Sequence, residues 1–475
     1  MMKRRALFLL FLSGVLLLPA QTNRTMVTDS VMKNIVSHLL PGNNRLLSPL
    51  PYYDCLHYDR TGLHFPAGHK AQDAFYEKLD SLLLFHSRSI NIWHVGGSHV
   101  QADFFSHRMR SNLTDMQPGN IGVRGILFPF GMANTNWNHN YRMEYTGTWT
   151  AGRNVQRDTD FDFGISGIAA TTTDSLATLT LVMNVGMTPS WQFSRLRLMG
   201  YSSSDRVFPF AVEEEGGIRD TVYAMTDSLY GGWLLPFDEL RDSVQVCFCI
   251  PSGEQFTLTG LIPENDLKGI NYYSSGINGA AVPTWLRCSC LLRDLGLVRP
   301  DLVIFAIGVN DAAVPYGDFN AESFKAGYRR LIQMVERVSP GCAYIFITNN
   351  DTYRRESRRV KRANRNAPLV QKAFFELARE YGGAVWDVYD FMGGLDSSPR
   401  WRDAGLMSTD LIHFTRTGYE LLGDLLYNAL IDDYMERGQQ VNKSTDGAAR
   451  AKRAGSLCRV ATDEEQSSTS QQAPQ

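Results

Sequence analysis

Residues 302–311 read Leu-Val-Ile-Phe-Ala-Ile-Gly-Val-Asn-Asp, an unbroken apolar run followed by a polar turn. A strand with one face in water alternates polar and apolar residues, whereas a strand covered on both faces is apolar throughout. The run therefore predicts a strand at 302–307 in the interior of a parallel sheet. The turn at 308–311 then lies at the carboxyl end of that strand, where open α/β sheets place their binding sites.

Helical and strand patterns alternate on both sides of this strand. The sequence predicts helices at 69–85, 100–113, 285–295, 321–338, 365–381 and 418–437, and strands at 90–95, 343–348 and 384–388. Such alternation is typical of a three-layer, doubly wound α/β fold with a mostly parallel sheet.

Residues between 130 and 268 follow another pattern, with short segments of alternating polarity separated by Gly, Asp and Ser clusters. Many short strands with frequent turns predict a β-sandwich-like domain inserted into the α/β domain. The predicted layout is a signal peptide at 1–20, an N-terminal extension at 21–66, a discontinuous α/β domain at 67–129 and 269–437, the insert at 130–268, and a disordered tail at 438–475.

The N-terminus has the pattern of a secretory signal peptide: basic residues at 3–5, an apolar run at 6–18 and a small-residue exit at 19–21. A retained N-terminal anchor is the alternative, although the run is shorter than the ~20 residues that span a bilayer. We therefore predict an extracytoplasmic protein, periplasmic or secreted, with no transmembrane span after signal removal. The net charge of -2 lacks the basic excess of a nucleic-acid-binding protein.

The chain has seven cysteines, an odd and low number that does not indicate a disulfide scaffold. Two Cys-x-Cys pairs stand at 247/249 and 288/290. The first alternates with apolar residues like a strand, which puts both thiols on one face. We interpret these cysteines as small buried hydrophobes of a sheet, with zinc binding or a disulfide between the pairs as alternatives.

One serine, one histidine and one aspartate have the placement that nucleophilic catalysis needs. Ser98 stands at a predicted strand-to-helix turn, and a serine hydroxyl attacks only when a base takes its proton. His413 is the candidate base, and Asp410, three residues earlier, is the candidate that orients its imidazole. Asp387 and Asp390 are rival carboxylates, which we interpret as turn or capping groups.

A tetrahedral intermediate also needs hydrogen-bond donors aimed at its oxyanion. The candidates are the backbone N–H groups of Ser98 and Gly279 and the side-chain amide of Asn310. Each residue has a structural alternative: Ser98 as a helix cap, Asn310 as a turn residue with Asp311, and His413 as a buried structural histidine. Taken singly, these short segments are common in proteins, so their joint order is what matters.

That order resembles the SGNH (GDSL-type) hydrolase superfamily, whose domain opens on a serine block and closes on Asp-x-x-His. The longest matches are Gly-Gly-Ser-His-Val-Gln-Ala-Asp-Phe-Phe at 96–105 and Asp-Leu-Ile-His-Phe-Thr-Arg-Thr-Gly-Tyr at 410–419. Both segments are similar to those of a secreted bacterial branch of the superfamily that is related to peptidoglycan O-acetylesterases, in particular to its Bacteroidetes-type members. The resemblance implies a flavodoxin-like parallel sheet and a carbohydrate-binding-like insert. The four family roles would fall, in order, to Ser98, Gly279, Asn310 and His413.

The resemblance implies a serine esterase that deacetylates a cell-wall or other polysaccharide through an acyl-enzyme on Ser98, without metal or organic cofactor. The acetylated polysaccharide or peptidoglycan would be its partner, and Arg124, Asn134 and Asn136 are candidates to line its groove. A polysaccharide O-acetyltransferase with the same triad and a non-catalytic glycan-binding protein are the alternatives. Gly97 replaces the family's usual Asp, which leaves the firmness of the serine turn open.

A basic run at 354–365 stands apart from these segments. We interpret it as the solvated face of a helix, with contact to an anionic polymer as the alternative.

Overall fold

A computed structural model of the protein describes residues 46–138, 140–183, 191–215, 218–355 and 360–437. The predicted signal peptide, the first part of the N-terminal extension, the predicted tail and Cys458 lie outside the described residues. Contacts join residues 46–434 into one compact unit.

The described strands fall into four sheets. In chain order they are β1 (Leu63–His64), β2 (Ile90–Gly96), β3 (Tyr141–Thr146), β4 (Thr150–Arg153), β5 (Ile168–Thr172), β6 (Thr178–Met183), β7 (Phe193–Ser202), β8 (Phe208–Glu215), β9 (Ile218–Tyr223), β10 (Met225–Thr226), β11 (Trp233–Arg241), β12 (Ser243–Cys249), β13 (Phe256–Glu264), β14 (Ile270–Gly276), β15 (Leu302–Ala306), β16 (Ala343–Ile347), β17 (Tyr353–Arg355), β18 (Lys361–Ala363) and β19 (Ala384–Trp386).

The described helices alternate with the strands of the first sheet. They are α1 (Lys70–Phe85), α2 (Ser98–Gln101), α3 (Phe104–Asp115), α4 (Val282–Leu286), α5 (Leu291–Val298), α6 (Ala321–Val338), α7 (Ala367–Tyr381), α8 (Val388–Phe391), α9 (Ser398–Asp403) and α10 (416–437). Two 3-10 turns cover Tyr58–Arg60 and Phe130–Ala133.

The first sheet has six strands in the order β1-β19-β16-β15-β2-β14. All its pairings are parallel except β1 with β19. The run at 302–306 that opened the sequence forms β15, whose first four residues are fully buried between β16 and β2. The predicted mixed α/β fold with parallel strands is thus confirmed.

The β-rich stretch forms two further sheets, both antiparallel. One has the order β10-β11-β7-β13-β5-β4 and the other β3-β6-β12-β8-β9. Phe248 of β12 contacts Phe256 of β13 with ring centroids 4.6 Å apart, which links the two sheets through buried aromatic packing.

Two predicted helices are each divided in two. The helix predicted at 100–113 breaks because Asp103 has a left-handed backbone with φ of 56° and separates α2 from α3. The helix predicted at 285–295 is interrupted between α4 and α5, where the N–H of Cys290 donates to the carbonyl of Phe163 at 3.0 Å instead of to its own helix. The basic run at 354–365 is not a helix face either, because it contains the antiparallel hairpin of β17 and β18.

Cys247 and Cys249 lie on the same face of β12 as predicted, but that face is partly exposed rather than buried. All six described cysteines are free thiols. In the described part of the chain, no cluster of His, Cys, Asp and Glu has the make-up of a metal site, and no helix has the length and apolarity to cross a membrane.

Candidate active site

The segments that hold Ser98, Gly279 and Asn310 follow three neighbouring strands of the parallel sheet. β2 lies between β14 and β15, and Gly96 is in register with Gly276 on one side and Ala306 on the other. Because parallel strands end at the same edge of a sheet, the three segments emerge side by side.

The helix that begins at Ser98 lies directly against these strand ends. A Cβ added to Gly96 would stand 2.3 Å from Cγ2 of Val100, and one added to Gly276 would stand 2.2 Å from the backbone nitrogen of Gln101. Only glycine leaves room for the helix to approach so closely. The two glycines therefore fix where the serine emerges.

His413 connects Ser98 to Asp410, although Ser98 and His413 are 315 positions apart in the chain. The hydroxyl of Ser98 lies 2.8 Å from Nε2 of His413, and Nδ1 of His413 lies 2.7 Å from Oδ2 of Asp410. The two ring nitrogens have different partners, so the carboxylate selects the tautomer whose Nε2 can accept a proton. This is the geometry of a serine–histidine–aspartate triad.

The Asp410 carboxylate is held by its own loop. Its Oδ1 accepts from the backbone N–H groups of Ile412 at 2.9 Å and His413 at 3.0 Å. Leu411, between Asp410 and Ile412, adopts a left-handed φ of 59°, which folds the loop back on the carboxylate. Partial burial disfavours the charged form, yet the hydrogen bonds from His413 and the two amides lower the pKa of Asp410 below its usual range. Asp410 is therefore ionised at neutral pH.

The Asn310 and Gly279 segments are tied together. Nδ2 of Asn310 donates to the carbonyl of Ala280 at 2.9 Å. The Asp311 carboxylate accepts from the N–H of Val282 at 3.1 Å, and burial raises the pKa of that carboxyl to about 6.

Gly279 has φ of +84°, a conformation that favours glycine. The structure brings Ser98, Gly279, Asn310 and His413 into one cleft.

His99, which had no predicted role, packs behind the base. Its ring centroid lies 5.4 Å from that of His413, and its Nδ1 lies 2.9 Å from the Tyr419 hydroxyl. Burial, together with the neighbouring His413, lowers the pKa of His99 to about 3. His99 is therefore neutral at physiological pH.

Gln101 is a second residue whose role the sequence interpretation missed. Its Nε2 donates to Oγ1 of Thr135 at 2.8 Å and to the carbonyl of Asn136 at 3.2 Å, while its Oε1 accepts from the N–H of Asn278 at 2.5 Å. Gln101 thus ties two segments of the cleft, at 135–136 and at 278, to the helix of Ser98. Its place in the matched run 96–105 was the only signal that could have identified it.

Two of the predicted groove residues lie elsewhere. Asn136 lines the cleft, but Arg124 is only 1% exposed and pairs with buried Asp103 at 2.5 Å, so it cannot contact a substrate there. The prediction that Arg124 lines the groove rests on its position near the insert, and sequence position does not reveal burial. Asn134 is an exposed turn residue with a left-handed φ of 48° and is not part of the cleft wall.

Asp387, one of the two carboxylates that could have rivalled Asp410, caps α8 by accepting from the N–H of Asp390.

Residues 251–421 match the model of the GDSL-like lipase/acylhydrolase family. The chain thus carries a GDSL-like acylhydrolase domain of the SGNH superfamily, as the sequence predicted, and it is an ester-hydrolysing enzyme. Among solved structures, a peptidoglycan O-acetylesterase is similar over 79% of this chain and 99% of its own, with 22% identity and a TM-score of 0.63. That likeness supports the fold.

An acetylxylan esterase from Geobacillus stearothermophilus matches 34% of this chain and 73% of its own at 19% identity, with a TM-score of 0.26 that is too low to support a structural conclusion. No curated protein matches the chain significantly.

Proposed function

We propose that Ser98, His413 and Asp410 are the catalytic triad of this esterase, with Ser98 as the nucleophile. The observation that carries the proposal is the continuous pair of hydrogen bonds, 2.8 Å from Ser98 to His413 and 2.7 Å from His413 to Asp410. A lone helix-capping serine or a lone structural histidine would not require this alignment. The ionised Asp410 supports it, because a negative carboxylate stabilises the imidazolium that forms in the reaction.

In the first step, His413 takes the hydroxyl proton of Ser98 while Oγ attacks the ester carbonyl carbon. The charge that develops on the carbonyl oxygen is stabilised by the N–H groups of Ser98 and Gly279 and by the Asn310 amide, each donor contributing about 3 kcal/mol. His413 then gives its proton to the departing alcohol oxygen. In the second step His413 deprotonates water, which attacks the acyl carbon. The bond between the acyl carbon and Oγ then breaks, and His413 returns its proton to Oγ, which releases the acid and restores Ser98.

The substrate we propose is an acetyl ester on a cell-wall or other polysaccharide. The cleft is open, and its wall near Ser98 includes the side chains of Ala102, Val309 and Ile412, which suit a small acyl group. The likeness in fold to a peptidoglycan O-acetylesterase supports an acetylated glycan. The His413 side chain is 39% exposed, so water can reach the base for the hydrolytic step.

We further propose that residues 130–268 form an inserted β-sandwich and that the protein acts outside the cytoplasm. The two antiparallel sheets and their Phe248–Phe256 contact support the first statement. The signal-like residues 1–20 support the second. N-terminal sequencing of the protein recovered from fractionated cells tests the location: cleavage near residue 20 outside the cytoplasm is expected, and an intact cytoplasmic chain would contradict it.

The test of the triad compares Ser98→Ala with Ser252→Ala, a serine in an exposed turn. We expect Ser98→Ala to lose turnover of an aryl acetate and of acetylated glycan by at least about 10³-fold, because the nucleophile is absent. A fluorophosphonate probe should label the unmodified protein and Ser252→Ala but not Ser98→Ala. Equal turnover by the two variants would exclude Ser98, and glycan binding by an unmodified protein without any turnover would favour the binding-module alternative.

A further inference from the structure

A basic hairpin, formed by β17 and β18, follows the sheet strand β16. The two strands, Tyr353–Arg355 and Lys361–Ala363, contain four basic residues and no acidic residue, in a chain whose net charge is -2. The described strands carry Arg354, Arg355, Lys361 and Arg362, and the last three are exposed. Positive charge is therefore concentrated in one short element.

The register of the hairpin places like charges opposite each other. Arg354 is paired with Arg362, and Arg355 with Lys361. Like charges directly opposite on two strands are destabilising, and an isolated two-stranded hairpin is marginal even without them. The sequence retains both like-charge pairs although they destabilise the hairpin. Local conflicts of this kind are typical of functional sites.

Contacts with the Asp410–His413 loop hold one side of the hairpin. The N–H of Tyr353 donates to the carbonyl of Leu411 at 2.9 Å. The ammonium group of Lys361 donates to the carbonyls of Thr409 at 3.4 Å and Asp410 at 3.3 Å. The hairpin thus stands directly beside the loop that carries two triad residues.

The end of the hairpin is joined to the loop that carries Asn310. Nδ2 of Asn364 donates to the carbonyl of Ala312 at 3.0 Å, and Nδ2 of Asn366 donates to the carbonyl of Val314 at 2.9 Å. Asn364 and Asn366 are both buried, so these are structural anchors. Two of the loops that border the cleft therefore fix the position of the basic element.

Two carboxylates near the described strands of the hairpin already have other partners. Asp410 pairs with His413, and Asp396 accepts from the hydroxyl of Tyr353. No carboxylate within the described ranges forms an ion pair with Arg354 or Arg355. At physiological salt the positive potential of the two side chains extends over roughly 8 Å.

We propose that this basic hairpin binds anionic groups of the substrate chain, so that the enzyme acts on esters of an anionic glycan rather than of a neutral one. The proposal rests on the function proposed above. The ester occupies the cleft at Ser98 while carboxylates or phosphates farther along the chain contact Arg354, Arg355 and their neighbours. Arg365, stacked at 3.9 Å on the ring of Tyr316, extends the cationic surface towards the Asn310 loop.

The test measures binding separately from turnover, in a Ser98→Ala background that cannot consume the ligand. The probes are polygalacturonate with carboxylates, phosphorylated dextran with phosphates, and unmodified dextran, each cast into native gels at about 20 mM and about 200 mM salt, across which the Debye length shortens severalfold. We expect retardation by the charged polymers only, weakened at the higher salt. The charged polymer that binds more tightly identifies the source of the anion.

The variant Arg354→Gln/Arg355→Gln should bind the charged polymers about three- to tenfold more weakly, since a half-buried and an exposed cation are lost. Arg330→Gln/Arg379→Gln, which removes the same charge from the exposed faces of α6 and α7, is the matched control and should bind like its parent. Equal binding by both double variants, or equally tight binding of neutral dextran, would overturn the proposal. The salt titration of the parent tests the charge dependence of binding even if the hairpin variant does not fold.

Hydrolysis of an aryl acetate by the unmodified protein distinguishes the two proposals. If the protein hydrolyses the aryl acetate but binds polymers without regard to charge, only the anionic-glycan proposal fails. If it binds charged polymers through the hairpin but hydrolyses no ester, the esterase proposal fails and the hairpin remains a binding site.

Discussion

His99 shows how one neighbour can support the proposed catalytic base without lining the cleft. Its ring packs 5.4 Å from that of His413 and is fixed by the hydroxyl of Tyr419. If His413 becomes an imidazolium, as in the proposed mechanism, a second positive ring at this distance would repel it. Burial keeps His99 neutral, so the packing limits the motion of His413 without opposing its charge.

Gly97 precedes Ser98, the proposed nucleophile, at a position where the family usually has Asp. Its φ is -98°, so the turn does not require a left-handed residue there. Space is the constraint, because an added Cβ would lie 3.2 Å from Nδ2 of Asn310 and 3.4 Å from the carbonyl of Ala280. The absence of a side chain thus leaves room for the Asn310 amide beside Ser98.

We therefore expect Gly97→Ala to lower kcat roughly tenfold with little change in KM, because the Asn310 amide must shift by a few tenths of an ångström from the oxyanion. Steady-state kinetics with an aryl acetate measure the effect. Gly62→Ala is the control, since an added Cβ meets nothing within 4 Å at that position. An unchanged kcat in Gly97→Ala would mean that Asn310 does not act in the transition state.

The residues of the cleft were predictable where their order along the chain carried the signal. Ser98, Asn310 and His413 each stand next to a strand end or before the last helix, and the sequence shows both features. The contacts of Gln101 were not predictable, because they join segments that come together only in the folded chain. The burial of Arg124 was missed for the same reason, since its partner Asp103 belongs to another element.

At the scale of elements, the break between α2 and α3 has a clear electrostatic cause. Asp103 is 0% exposed at the break, and its carboxylate contacts the guanidinium groups of Arg110 at 3.3 Å and Arg124 at 2.5 Å. It also accepts from Ser106 and Asn140 at 2.5 Å each. Burial alone would raise the pKa of Asp103, but the two arginines lower it well below its usual range. The carboxylate is the counter-charge of two buried cations.

Asp103→Asn should lower the free energy of unfolding by about 3–5 kcal/mol, because two arginines would stay buried without a counter-charge. Asn tolerates the left-handed backbone, so strain does not confuse the result. Urea unfolding measures the loss, and Asp115→Asn, at the exposed end of the same helix, should cost far less. Equal losses in the two variants would show that the cluster does not stabilise the fold.

At the scale of the whole molecule, the alternation of helices and strands predicted the fold class, and the run at 302–306 predicted its central strand. The order of the strands was not predictable in the same way. β14 pairs with β2 across about 180 residues that contain both antiparallel sheets, and nothing local in either strand specifies that partner. The cleft depends on this pairing, because it brings Gly279 beside Ser98.

The pH dependence of stability should be governed by buried groups of opposite sign. Burial lowers the pKa of both His94 and His99 to about 3. Their contribution to the free energy of unfolding is therefore present above pH ~6.5 and is lost as the pH falls, because only the unfolded chain takes up the protons. Asp311 acts in the opposite direction. Its pKa is raised to about 6, so its contribution is present below pH ~4 and is lost as the pH rises through 6.

Replacing one histidine isolates one of these contributions. As the pH falls from 6.5 to 4.5, the free energy of unfolding of His94→Gln should rise relative to that of the unmodified protein by about 1.4 kcal/mol for each pH unit. The reason is that Gln takes up no proton in either state. Gln can still reach the Tyr272 hydroxyl, which lies 2.8 Å from Nδ1 of His94. Urea unfolding at several pH values measures the slope, with exposed His64→Gln as the control. Parallel curves for His94→Gln and the unmodified protein would mean that His94 titrates alike in the folded and unfolded chain, which its complete burial in β2 contradicts.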